Sequence, residues 1–148
     1  MGNGRTLSEQ QPPYKLLLKH YRAPGDVLVM TAAVGALKRQ YGNRYRVMVD
    51  TTCMELWQDN PNVEQLVNSE CAVIPLEYPL INRAGQEPVH FMQAFCEDLS
   101  RHLKQTVRLD TNRPELFLSE KEKKPFTDRP YVVLNAGYKT DFTRKFAG

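Results

Sequence analysis

The residues best suited to chemistry in this 148-residue chain stand in a few places. Asp26 follows an apolar run and a Pro24-Gly25 turn, and it opens an amphipathic stretch. A carboxylate in that position can cap a helix by accepting backbone N–H bonds. It can also act as a general base that takes a proton from an attacking hydroxyl. The two roles compete, because a tightly capped carboxylate is a weaker base. Lys19, His20, Tyr21 and Arg22 stand just before it, where they can line the same cleft and hold an anion, or form an ordinary surface loop. Lys139, Thr140, Thr143, Arg144 and Lys145 follow Gly137. Cations and hydroxyls in such a loop suit a diphosphate, which needs charge neutralisation and several donors; the bland reading is a solvated charged tail. His90 begins a second amphipathic stretch, where a structural histidine is the first reading and a bond to a substrate hydroxyl the second.

Other chemistries are excluded by pattern. No Walker loop and no GxGxxG precedes either amphipathic stretch, and no GxSxG elbow occurs. Cys53, Cys71 and Cys96 are odd in number and include no CxxC, which reads as buried thiols in a reducing compartment. Cys96 with His90 and His102 matches no familiar ligand spacing, so no metal site is expected. Twenty Lys and Arg against 17 Asp and Glu give a net charge of +3, which allows a phosphate-bearing partner without demanding one. No arginine-rich arm or interleaved basic and aromatic stripe is present, so nucleic acid is not an expected partner. No run approaches the roughly 18 apolar residues of a membrane span. The polar start has no apolar signal core, which points to the cytoplasm.

The elements that position these residues follow from periodicity. Residues 15–19 (KLLLK) and 45–50 (YRVMVD) read as strands. Between them, Val27, Met30, Thr31, Val34, Leu37 and Tyr41 recur at helical spacing, with Lys38 and Arg39 in the last turn and Gly42 as the stop, so a helix is expected over 26–41. Residues 51–58 read as a short helix and 60–62 as a turn. Residues 71–76 (CAVIPL) read as a third strand, whose proline marks an edge or an end. A helix is expected over 90–104, with Phe91, Phe95, Leu99 and Leu103 on one face. Trp57, Phe91 and Phe95 read as core. Residues 115–118 read as a short strand in a polar connection, and 131–134 (YVVL) as a clear strand. Strands alternating with helices predict an α/β fold with a mainly parallel sheet. Ligands then bind beyond the carboxyl ends of the strands, which makes 20–26 and 135–145 the loops that matter.

The run from Lys15 to Val34, KLLLKHYRAPGDVLVMTAAV, resembles the opening of the family nine glycosyltransferases, the ADP-heptose:lipopolysaccharide heptosyltransferases and their relatives. The shared pattern is an apolar strand, a basic residue, a short loop, Gly-Asp and an apolar helix. LWQDNPNV (56–63) resembles the family's Asn-Pro region, and YVVLNAGYKTDFTRK (131–145) the start of its second domain. The loop before Gly25-Asp26 is one residue longer than the family's pattern, and Phe146 stands where the family usually has tryptophan.

The resemblance implies the front half of a GT-B enzyme, with two Rossmann-like domains facing each other across a cleft. On that basis 1–13 is a disordered tail, 14–110 a Rossmann-like acceptor-side domain and 111–129 a connection. Residues 130–148 are then the first strand and phosphate loop of a truncated donor domain. The resemblance makes Asp26 the catalytic base, places Lys145, Thr140 and Thr143 at the donor phosphates, and puts Lys19, Arg22, Gly25 and His90 at the acceptor. It implies a nucleotide-sugar donor such as ADP-heptose, a glycan or lipopolysaccharide-core acceptor, no metal or other cofactor for the chemistry, and transfer with inversion. The missing donor domain is expected in cis or in trans, a peripheral contact with the inner membrane face is allowed, and the 148 residues alone are expected to be inactive. The competing expectation is a stand-alone α/β module that binds a glycan or a phosphate-bearing ligand, or one half of a split enzyme.

Overall fold

A computed structural model of the chain describes residues 12–65, 70–77, 89–124 and 127–133. Strand β1 (Tyr14–His20) leads through a three-residue loop into helix α1 (Pro24–Tyr41). A 3-10 turn (Gly42–Arg44) feeds β2 (Tyr45–Thr51), and a second 3-10 turn (Met54–Trp57) follows it. Strand β3 (Ala72–Pro75) and helix α2 (Phe91–Leu103) complete the elements. The three strands form one parallel sheet in the order β2-β1-β3. The α/β class and the parallel sheet are as the alternation of elements predicts. Pro75 closes edge strand β3, where its missing N–H costs no ladder bond.

Alternation along the strands builds the core. Leu16, Leu18, Val47, Val49, Ala72 and Ile74 lie on one sheet face and are buried with Val27, Met30, Val34 and Leu37 of α1. Phe95, Leu99 and Leu103 of α2 join the same cluster, and α1 and α2 pack on each other. Each such side chain contributes about 1.5–3 kcal/mol on leaving water. Helix α1 is buried without a break from Met30 to Leu37. Its uncharged, small-residue stretch TAAVGA lets neighbours approach on every side.

One of those neighbours is a strap formed by residues 106–115, which the sequence presents only as a polar connection. It runs antiparallel to α1. Tyr41 Oη donates to Thr106 O (2.7 Å), Gln40 bonds both the N–H and the carbonyl of Arg108 (3.0 and 2.6 Å), and Arg39 grips Asp110 with two bonds (2.7 and 2.6 Å). Further along, the Glu115 N–H donates to Thr31 Oγ1 (2.8 Å). The strap therefore carries the chain from the last turn of α1 at Tyr41 back to the middle of the helix at Thr31.

Several expectations need correction. The short helix expected over 51–58 is present as a 3-10 helix but narrower, at Met54–Trp57, because Thr51 still belongs to β2 and pairs with His20. Residues 115–118 form no strand: no neighbouring strand is in register with them, and the Glu115 N–H is spent on Thr31. Residues 131–133 are also outside any strand, with Val132 82% and Val133 79% exposed. Strand propensity alone does not make a strand, and among the described residues the sheet consists of β1, β2 and β3. Phe91 is 39% exposed rather than core, since it opens α2 beyond the reach of the sheet. The expected tail lies outside the described residues except for Pro12 and Pro13.

Candidate functional site at the carboxyl end of the sheet

Parallel strands place their three exits at one end of the sheet. From β1 the chain passes through Tyr21, Arg22 and Ala23 into α1, whose first three residues are Pro24, Gly25 and Asp26. The N-cap is Ala23, with no side-chain cap, so Asp26 is not the capping residue that its position suggests. Pro24 takes the first helical position, where a missing N–H is harmless, and this starts the helix two residues earlier than expected. Asp26 sits in the first turn, half-buried, and its N–H donates to Ala23 O (2.9 Å). A carboxylate there complements the positive end of the helix. Gly25 is exposed, and a Cβ on it would meet nothing within 4 Å, so the helix end is open to solvent and solute.

Lys19 and Asp50 are partners across β1 and β2. Lys19 Nζ lies 3.4 Å from Asp50 Oδ2, and Tyr21 Oη donates to the same oxygen at 2.5 Å. The adjacent Tyr21 and Asp50 raise the Lys19 pKa above its ordinary value. The bond to Asp50 is the main reason that the Tyr21 phenol also titrates high, so it stays a donor. Thr52 Oγ1 donates to Arg22 O (2.6 Å) and ties the exit of β2 to the exit of β1. The Arg22 side chain is exposed beside them.

His20 departs from expectation. Alternation turns it to the helix-covered face, where it is 2% exposed, lies 2.7 Å from Leu76 O through Nδ1 and meets Phe95 edge-on at 5.1 Å. It holds the exit of β3 and does not line a cleft. Asp98, also 2% exposed, completes that anchor from α2 by accepting the Glu77 N–H (3.0 Å) while pairing with Arg101. His90 is the N-cap of α2, and its Nδ1 accepts the Met92 N–H (3.2 Å), in keeping with the structural reading. Because Phe95 touches His20 and His90 lies about 7 Å further up the helix, α2 also begins at the carboxyl end of the sheet.

The structure thus brings Lys19, Tyr21, Arg22, Gly25 and Asp26 to one end of the sheet and adds Asp50 and Thr52, which the sequence reading missed. The signal available for Asp50 was an acidic residue closing an otherwise apolar strand. Thr140, Thr143 and Lys145 lie outside the described residues. Among the described residues no group of three His, Cys, Asp or Glu is placed to hold a metal, and no helix is long and apolar enough to cross a membrane. Chemically, the site offers the exposed Arg22 cation, a Lys19 ammonium and a Tyr21 hydroxyl already bound to Asp50, and a carboxylate on an open helix end. That set can hold an anionic or hydroxylated ligand and accept a proton from it. Comparison of the chain with protein-family models, curated proteins and solved structures gave no match.

Proposed function

We propose that this chain is the acceptor-side part of an inverting glycosyltransferase of the family nine kind, with a Rossmann-like fold that forms half of a GT-B pair. The observation that carries the reading is the place of Asp26, in the open first turn of the helix that follows the central strand, at the end of the sheet where Lys19 and Arg22 also lie. In this reading Asp26 takes the proton from an acceptor hydroxyl as that oxygen displaces a nucleoside diphosphate in line. Lys19 and Arg22 orient a glycan or lipopolysaccharide-core acceptor. Lys145, Thr140 and Thr143 meet the charge growing on the departing diphosphate of a nucleotide-sugar such as ADP-heptose. The strap supports the reading, because it returns the chain toward the end of the sheet where Asp26 stands. The exposed Val132 and Val133 fit a segment whose strand partners belong to another domain, in cis or in trans.

The test begins with the intact mass of the native protein in its source cells, which says whether a donor domain is joined to this chain. Sugar transfer is then measured on that protein with and without Asp26→Ala. The expected outcome is loss of at least about a thousandfold in turnover, within the range of a positioned general base and its effect on the attacking oxygen, with acceptor binding changed less than threefold. Undiminished transfer by the alanine variant removes Asp26 from the chemistry. Ligand binding without any transfer by the native protein replaces the enzyme reading with a binding module.

A further inference from the structure

The strap ends at Glu115, where helix α1 and the turn that holds Asn62 meet one carboxylate. Arg39 of α1 pairs with Oε1, Asn62 Nδ2 donates to Oε2 at 3.0 Å from the turn that follows β2, and the carboxylate lies directly against Gly35. A Cβ on Gly35 would fall 2.6 Å from the Glu115 Cδ and closer still to both oxygens. The backbone of the same residue is fixed independently, through its N–H on Thr31 Oγ1. Beyond it the chain turns outward, and Leu116 and Leu118 are 48% and 41% exposed. Residues 106–115 thus track α1 through a series of polar contacts, and Glu115 is where they meet the turn that follows the Met54–Trp57 helix.

We propose that Glu115 is a positioning residue: seated in the notch of Gly35 and held by Arg39 and Asn62, it fixes the point and direction in which the chain leaves this α/β unit. The segment beyond Glu115 therefore departs from the middle of α1, at the level of Thr31 and Gly35. Removing the latch frees the exit while leaving the core intact, because Glu115 touches α1 from outside and replaces none of the sheet-facing side chains. The inference rests on the strap alone and holds whatever reaction the site performs.

The exit direction is measurable in the full 148-residue chain. Spin labels on Asn43→Cys, in the turn at the amino end of the sheet, and Leu118→Cys, just past the latch, report the distance by electron–electron dipolar spectroscopy. Cys53→Ser removes the more accessible native thiol. The latched chain gives one narrow distance of roughly 20 Å or more, set by the rise of α1 between the two levels. Gly35→Ala, whose methyl occupies the carboxylate's seat, is expected to broaden that distribution at least twofold in width. Glu115→Ala, which removes atoms without crowding the helix, gives the same broadening if the glycine variant does not fold. In the double variant the width matches that of the single variants, because both act on one contact. A broad distribution in the starting protein, or a narrow one in Glu115→Ala, overturns the proposal. So does equal broadening from Asp110→Asn alone, which would place the restraint at Arg39 and Asp110 instead.

Discussion

Thr31→Val tests whether the strap is held by specific bonds or merely lies against α1. Thr31 is fully buried; its hydroxyl donates to Leu28 O at 2.6 Å and accepts the Glu115 N–H at 2.8 Å. Valine has nearly the same shape and a similar helix propensity, so packing and local helix stability stay level. The Leu28 carbonyl is a helix carbonyl and loses only a second donor. The Glu115 N–H loses its acceptor, and it cannot simply retreat to water, because Arg39 and Asn62 hold the side chain of the same residue. A net hydrogen bond is worth about 0.5–1.5 kcal/mol, and a stranded donor costs about 1–3 kcal/mol. Partial relief by solvent at this half-buried site puts the expected loss at about 1–2 kcal/mol. With an m-value of about 1–3 kcal/mol per molar, the urea midpoint falls by roughly half to one molar. Thr31→Ser is the control: it keeps the hydroxyl and gives up a buried methyl at about 1 kcal/mol. Stability alone does not separate the two variants, so the deciding assay is hydrogen exchange at the Glu115 amide. Protection there should persist in the serine variant and collapse in the valine variant. Protection that survives in Thr31→Val, with the urea midpoint unmoved, refutes the reasoning.

Charge and burial lead to two further outcomes. Asp110 and Glu64 are held below the ordinary carboxyl values of 3.8 and 4.5 by their hydrogen bonds to Arg39 and Arg46. Folded values below unfolded ones add stability that is complete above the unfolded values and is lost as pH falls through the folded ones. Urea midpoints should therefore drop between about pH 5 and about pH 3, less steeply in Asp110→Asn and less steeply in high salt, because both pairs are largely exposed. Of the three cysteines, Cys53 is half-buried while Cys71 and Cys96 are buried, and burial pushes the Cys96 thiol up to about 12. Titration of the native chain with a coloured disulfide reagent should give one fast thiol and two that react only on unfolding; two fast thiols would contradict the packing of Cys71 or Cys96.

The parts of this fold that are legible along the chain are those whose signals are local. Period-two and period-3.6 patterns place the ends of β1, β2, β3, α1 and α2 within one residue, apart from the start of α1, which lies two residues earlier. Their alternation gave the α/β class, and parallel strands then required that Lys19, Arg22, Gly25 and Asp26 share one end of the sheet. Features that depend on partners far apart in the chain become visible only once the elements are packed. Periodicity could not say that α1 would be covered all round, since that needs the strap, whose polar residues look like a solvated connection until Arg39, Gln40, Thr31 and Asn62 are beside them. It could not pair Asp50 with Lys19 and Tyr21, because strand register sets that. Residues 131–133 show the limit from the other side. Val132 and Val133 have the intrinsic preferences of a strand, but a strand is completed by hydrogen bonds from a neighbour, and no single segment carries its neighbour within itself.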